Sequence, residues 1–245
     1  MTETAFSRTQ LDETYPPGIE RHFWNHARNR IILRTLRAAA GATPFRNVLE
    51  IGCGRGVVVR YLRDHGVPCR GVELSGAAVD PDLTGLIETG RDCFTLPDAV
   101  RHAVECVLLL DVIEHLPDPV AFLAAVRLAF PAARAVVVTV PARRELWSNY
   151  DEYYGHFRRY TVASLRGEVA AAGFSALRCG YLFHALYPVM FLLARIAGTR
   201  TTVQRTPRHL GLHRLLAHVL VADSLVVPSG VVGTSVLCAA VPSAA

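Results

Sequence analysis

Three glycines and two carboxylates carry the first chemical signal in this chain. The run Val48-Leu49-Glu50-Ile51-Gly52-Cys53-Gly54-Arg55-Gly56 passes from a short apolar stretch into a turn spaced G-x-G-x-G. Gly52, Gly54 and Gly56 let the backbone turn sharply and approach a ligand with no Cβ in the way. A turn that joins a strand to a helix in an open α/β sheet lies at the carboxyl edge, where ligands bind. A dinucleotide turn is spaced G-x-G-x-x-G and offers a helix N-terminus to a pyrophosphate. Here the spacing differs, and Glu50 stands two residues before the first glycine. Its charge repels a phosphate and suits a ligand with cationic groups. Glu73 closes a second apolar stretch, 17 residues after Gly56. A carboxylate at such a strand end can accept both hydroxyls of a ribose. S-adenosylmethionine, an adenosine bearing an ammonium and a sulfonium, satisfies both acids.

Two imidazoles follow. His115 lies in Asp111-Val112-Ile113-Glu114-His115-Leu116-Pro117, just past an apolar run, and His156 lies in Gly155-His156-Phe157-Arg158-Arg159-Tyr160-Thr161. Either stands where a general base works near neutral pH. The plainer readings are that His115 stacks on the ligand or pins its loop, and that His156 is a packed loop residue. Thr161 reads as a helix N-cap. Asp111, Glu114 and His115, with His156, would also form an N/O set for a divalent ion. Asp111 and Glu114 have alternative roles, so no metal ligand is assigned. The stretch from Trp147 to Tyr154 is rich in aromatic and polar groups, as a substrate-facing lid is. Trp147, Tyr154 and the nearby Tyr160 are the expected substrate contacts.

The elements that must position these groups are readable from apolar periodicity. Strands are predicted at 47–51, 69–74, 105–110, 135–140, 175–180 and 234–241, and helices at 20–40, 57–65, 119–130 and 162–172. The connection 81–87 reads as irregular or helical. Continuous apolar strands alternating with helices imply a parallel sheet covered on both faces. Residues 1–18 read as a poorly ordered arm, 19–181 as the core, 182–231 as a helical insert too long for a hairpin loop, and 232–245 as a final strand of the core.

Composition narrows the partners. At 245 residues and 51% hydrophobic, the chain suits one α/β domain with elaborations. All 26 basic residues are Arg. Residues 1–174 carry 20 Arg and 20 acids, whereas 175–245 carry six Arg against Asp223 alone. The excess charge therefore belongs to the insert, and nucleic-acid binding along the whole chain is not indicated. The insert is apolar in its first half and basic in its second. That pairing suits an amphiphilic acceptor, a membrane surface, a buried helix or a dimer face. The six Cys are scattered in apolar runs, which points to reduced thiols and a cytoplasmic setting. The polar N-terminus has no apolar core of a signal peptide. The uncharged run 179–194 is 16 residues long, short of the roughly 20 a spanning helix needs. Pro228, Gly230, Gly233 and Pro242 break the run 224–245.

The motifs VLEIGCGRG, GVELS, GRDCFTLP, LLLDVIEHLPDP and GHFRRYT together resemble those of class I S-adenosylmethionine-dependent methyltransferases. The resemblance covers about residues 20–180 and the final strand. It extends to the bacterial small-molecule group that includes the ubiquinone-biosynthesis O-methyltransferases. It implies a Rossmann-like, seven-stranded, mostly parallel sheet with a reversed last strand, an N-terminal helix, and S-adenosylhomocysteine as product. It also implies roles. Glu50, Gly52, Cys53, Gly54 and Gly56 hold the amino-acid end, and Glu73 with Leu74 the ribose side. Asp92 and Cys93 face the adenine, and Asp111 and Val112 floor the methionine. Trp24 and Arg28, on a helix resembling one that caps the cofactor, complete the set. Some members of the broader family hold a metal at the acceptor. The expected activity is methylation of a small or lipid-linked acceptor, at oxygen first, with nitrogen, carbon or a non-catalytic scaffold as alternatives.

Overall fold

The computed structural model describes residues 6–196 and 206–243. Residues 1–5 of the expected arm, 197–205 of the expected insert and 244–245 lie outside the described residues. Seven strands form one sheet: β1 (Val48–Ile51), β2 (Cys69–Glu73), β3 (Ile87–Thr89), β4 (Cys106–Leu110), β5 (Ala135–Pro141), β6 (Phe174–Leu182) and β7 (Ser235–Pro242). Their order is β3-β2-β1-β4-β5-β7-β6. The first five are parallel, and β7 runs antiparallel to both of its neighbours. The expected architecture is thus present, reversed strand included. Every residue of β1 and β4 is buried, as continuous apolar runs in a two-sided sheet must be.

Nine helices surround it among the described residues: α1 (Arg8–Thr14), α2 (Phe23–Ala40), α3 (Val57–Asp64), α4 (Asp98–Arg101), α5 (Pro119–Ala129), α6 (Asn149–Tyr153), α7 (Val162–Ala171), α8 (Leu186–Ile196) and α9 (Leu210–Val226). Strand residues alternate between two cores. Val107 and Leu109 pack with Leu123 of α5 and Leu165 of α7, whereas Cys106 and Leu108 pack with Ile32 of α2 and Val59 of α3. A third cluster seats Ala217 and Leu220 of α9 on Ala27 and Ile31 of α2. Thr161 caps α7 through the amide of Ser164, as its position predicts.

Two elements differ from the sequence reading. β3 is a strand where no strand is predicted. It has three residues at the sheet edge, between Gly85 and Gly90, both at positive φ, and three residues are too few to show a period. Arg8–Thr14 is helical rather than unstructured, because Ser7 and Gln10 form a capping box and Leu11 is buried. All six cysteines are free and buried. No helix among the described residues is long and apolar enough to cross a membrane.

Candidate active site

β1 ends in the glycine turn, where Gly52, Gly54 and Gly56 all take φ between 54° and 81°. A Cβ on Gly52 would stand 2.8 Å from the Val112 side chain, and one on Gly54 2.6 Å from the Tyr15 ring. Glycine here is therefore a matter of room as well as backbone freedom. Cys53 is buried, its sulfur close against Gly71 of β2. At the end of β2, Glu73 Oε2 accepts from the Gly54 amide (2.8 Å), and Oε1 accepts from the Ser75 amide (2.9 Å) and hydroxyl (2.8 Å). The carboxylate expected at the ribose is thus tied to the turn expected at the amino-acid end. The two motifs act as one rigid unit.

α2 brings Arg28 over this turn. Arg28 pairs with Asp111 at 3.0 Å and lies 4.8 Å from the Trp24 ring centroid. Asp111, at φ 58°, is held by its amide on the Thr139 carbonyl (2.8 Å) and by the Thr139 hydroxyl on its carboxylate (3.3 Å). Two buried atoms here have no hydrogen-bond partner: Arg28 Nε and Glu50 Oε2. One is a cationic donor and the other a carboxylate oxygen. Together they complement an α-amino-acid zwitterion, which is what the methionyl end of the cofactor presents. Burial pushes the Glu50 carboxyl up to about 8, against the opposing charge of Arg28 and with the like charge of Glu73. With its pKa raised by burial, Glu50 holds its proton near neutral pH, and an ammonium beside it favours the carboxylate. Binding should therefore release a proton. Affinity for S-adenosylmethionine should rise up to tenfold per unit from about pH 6 to pH 8 and then level. Titration calorimetry across that range, with Glu50→Gln as the flat control, reads this directly.

The sequence reading passes over Tyr15. The residue follows α1, its ring lies against Gly54, and burial raises its hydroxyl well above the ordinary range, with Arg28, Glu50 and Glu73 as neighbours. α1 itself spans the mouth of the cleft. Asp12 pairs with Arg55 of the glycine turn. At the other side Gln10 donates to the Tyr153 carbonyl (2.7 Å), and the Phe6 ring stands edge-on to His115 at 5.2 Å.

A second polar cluster is built from two loops. The turn after β4 carries Glu114 and His115, and the loop after α6 carries His156. The Phe157 amide donates to the Glu114 carbonyl (2.8 Å) and joins them. Ligand atoms of Glu114, His115 and His156 lie within 4.8 Å of one another. Three of the four groups of the N/O set come together, while the Asp111 carboxylate is bound to Arg28 and Thr139 instead. Glu114 is fully buried and neither of its oxygens has a hydrogen-bond partner, with His115 Nε2 4.0 Å from Oε1. Burial, then the charge of Asp111, raises its pKa well above the usual range. Burial and His156 lower His115 to about 3, so it is neutral. Such a set fits a divalent ion, since neutral imidazoles and an otherwise unsatisfied carboxylate are what an ion of this kind takes.

Asp151, which the sequence reading left within the lid without a role, organises this side. It is fully buried on α6. Its carboxylate accepts from His156 Nδ1 (2.8 Å), from Arg159 Nε (2.7 Å) and Nη2 (3.0 Å), and from the Ser148 amide (2.9 Å). Burial acts to raise its pKa, but the hydrogen bonds from His156 and Arg159 outweigh it, and the carboxyl sits well below the usual range. With Nδ1 occupied, Nε2 is the atom His156 has left for a proton or a ligand.

The remaining predicted residues are placed as follows. Leu74 is exposed beside Glu73. Asp92 spends one oxygen on the Phe94 amide (2.9 Å), and Cys93 is buried next to it. Trp147 donates to Glu152 (3.4 Å), and Tyr154 is buried against Phe6. Tyr160 is corrected: it is 1% exposed and part of the main core. Its strand-like pairing with Ala142 makes it packing rather than an acceptor contact.

The chain has known relatives in sequence and in fold. The model of the methyltransferase-domain family matches residues 23–178. A ubiquinone biosynthesis O-methyltransferase of Idiomarina loihiensis is 30% identical over 87 residues, which are 33% of this chain and 36% of that protein. The chain spans about a third to a half of the length of such curated relatives. Among solved structures, the putative methyltransferase of Haloferax volcanii, in complex with the Trm112 activator, superposes with a TM-score of 0.58 at 14% identity, covering 98% of this chain and all of that one. The 1,6-didemethyltoxoflavin-N1-methyltransferase of Burkholderia thailandensis gives 0.54 at 16%, covering 96% and 88%. Matched over most of its sheet by the family model, and carrying at the head of that sheet a glycine turn tied to the carboxylate that ends the next strand, the chain belongs to the methyltransferase-domain family.

Proposed function

We propose that the chain methylates a hydroxyl of a small or lipid-linked acceptor. The observation that carries this is the Asp151–His156 pair next to Glu114 and His115. A hydroxyl must lose its proton as it attacks the methyl carbon, and a base held in one tautomer by a buried carboxylate is suited to take it. In this reading Glu50 and Arg28 hold the amino-acid end and Glu73 holds the ribose. The main remaining task is to exclude water and hold the nucleophile about 3–3.5 Å from the methyl carbon. His156 Nε2 receives the proton, and Asp151 stabilises the imidazolium. The curated relatives named as O-methyltransferases support oxygen as the target.

The unpartnered oxygens of Glu114 favour a second role for the same cluster. Glu114, His115 and His156 would hold a divalent ion, which as a Lewis acid lowers the pKa of a coordinated hydroxyl. Labelled methyl transfer to alkylated catechols and to the matching alkylated aminophenols and anilines tests the proposal. An O-methyl product supports it, and methylation only at nitrogen or carbon overturns it. His156→Ala at saturating S-adenosylmethionine should cost about 10²–10⁴ in turnover. Loss of activity in EDTA, restored by Mg²⁺ or Mn²⁺, assigns the cluster to the ion. Indifference to EDTA assigns it to proton transfer.

A further inference from the structure

The insert between β6 and β7 is built inside out. α8 has no buried residue. α9 turns Ala217, Leu220 and Ser224 inward, towards α2 and β6. Its other side presents Leu212, Leu215, Val219 and Val226 to solvent, and α8 adds Leu192 and Ile196. All six are between 50% and 81% exposed. Spacing of three, four and seven residues puts the α9 set on one stripe. An exposed apolar stripe on that scale marks a contact surface rather than scatter.

Charge says what covers it. Among the described residues, the exposed arginines of the insert are Arg195 on α8, stacked on Phe191, with Arg208 ahead of α9 and Arg214 at its flank. The only acid beyond residue 174 is Asp223, and its two oxygens are spent on the amides of His184 (2.7 Å) and Ala185 (3.2 Å). A two-fold dimer through this face would set arginines against their own copies with no free carboxylate of the insert to pair them. Anionic lipid supplies both the apolar layer and the missing counter-charge. We propose that the outer face of α8 and α9 docks on an anionic bilayer surface.

The docked helix is also wired to the acceptor side. The Tyr187 hydroxyl of α8 donates to Glu145 Oε1 (2.7 Å), which Arg143 Nε also holds (2.7 Å), two residues before Trp147. The proposal rests on the exposed face and not on which atom is methylated, so docking and chemistry fail separately.

The test is co-sedimentation of the whole chain with phosphatidylcholine vesicles, with and without about one-third phosphatidylglycerol. Binding to the anionic vesicles alone, weakened about fivefold by each of Arg208→Ser and Arg214→Ser and abolished by Leu215→Glu with Val219→Glu, is expected. Those positions are solvent-facing, so an unchanged melting temperature and an unchanged shift with S-adenosylmethionine confirm that the variants fold. Equal binding to both vesicle types, no binding, or a dimer in sedimentation velocity that the Glu variants dissociate would each overturn the proposal.

Discussion

Asp151→Asn is expected to lower turnover by about 10²–10⁴ and to destabilise the fold by about 3–5 kcal/mol. The two effects have one origin. The carboxylate is buried with the Arg159 guanidinium on two bonds and the His156 ring on a third. Asparagine keeps the shape but loses the charge, so Arg159 stays buried without a counter-ion. Its amide nitrogen also meets a donor wherever it turns, since all the partners of Asp151 donate. A cost of that size lowers the melting temperature by roughly 10 °C in a chain of this length. The double variant Asp151→Asn/Arg159→Leu separates positioning from stability. Removing the orphaned charge should recover most of the melting temperature and none of the turnover. Unchanged turnover in Asp151→Asn would sink the assignment. The pH dependence has a definite sign. The pKa of Asp151 is depressed from 3.8, so its contribution is complete above that range and is lost as the pH falls below it. Asp151→Asn should therefore flatten the acid limb of the stability curve.

Glu73→Ala should weaken binding of S-adenosylhomocysteine by about 10²–10³, through the loss of two charge-assisted hydrogen bonds to the ribose at about 1.5–3 kcal/mol each, partly offset by relaxation. The same carboxylate fixes the Gly54 amide and Ser75, so its removal also loosens the turn that holds the amino-acid end. Glu73→Gln, which keeps an oxygen for one of these donors, should lose about tenfold less. Calorimetry with the product avoids turnover. An affinity within twofold of the parent would mean that Glu73 does not touch the ribose.

The cofactor side was legible because its signals are local. Glu50 and the glycines are contiguous, Glu73 ends the next strand, and each lies where a strand gives way to a turn. β4 and β5 were equally plain, since a strand buried on both faces admits nothing polar to blur it. The acceptor side was only half legible. His115 and His156 are the residue types that do such work, but their meeting depends on a loop contact 43 residues apart, from the Phe157 amide to the Glu114 carbonyl. Asp151 and Arg159 look like ordinary surface charges until the fold buries them together. Tyr160 misled for the opposite reason: its motif neighbours line the site, while its own pairing with Ala142 turns it into the core. Tyr15 gave no signal beyond standing before Pro16-Pro17-Gly18, and its role appears only when α1 is laid across Gly54. Arg28 was expected from resemblance alone, and the structure pairs it with Asp111.

The direction of the last two strands has a consequence beyond the sheet. β6 runs the same way as β5, and β7 runs back between them. Chain leaving the end of β6 therefore emerges at the edge where Gly52, Glu73 and Glu114 lie, and β7 returns it to the far side. The crossing works as a mailbox on the catalytic edge. Sequence placed between Leu182 and Ser235 arrives beside the acceptor without any strand changing register. A scaffold of this kind can exchange what it docks against, helix for helix, while its cofactor cradle stays the same.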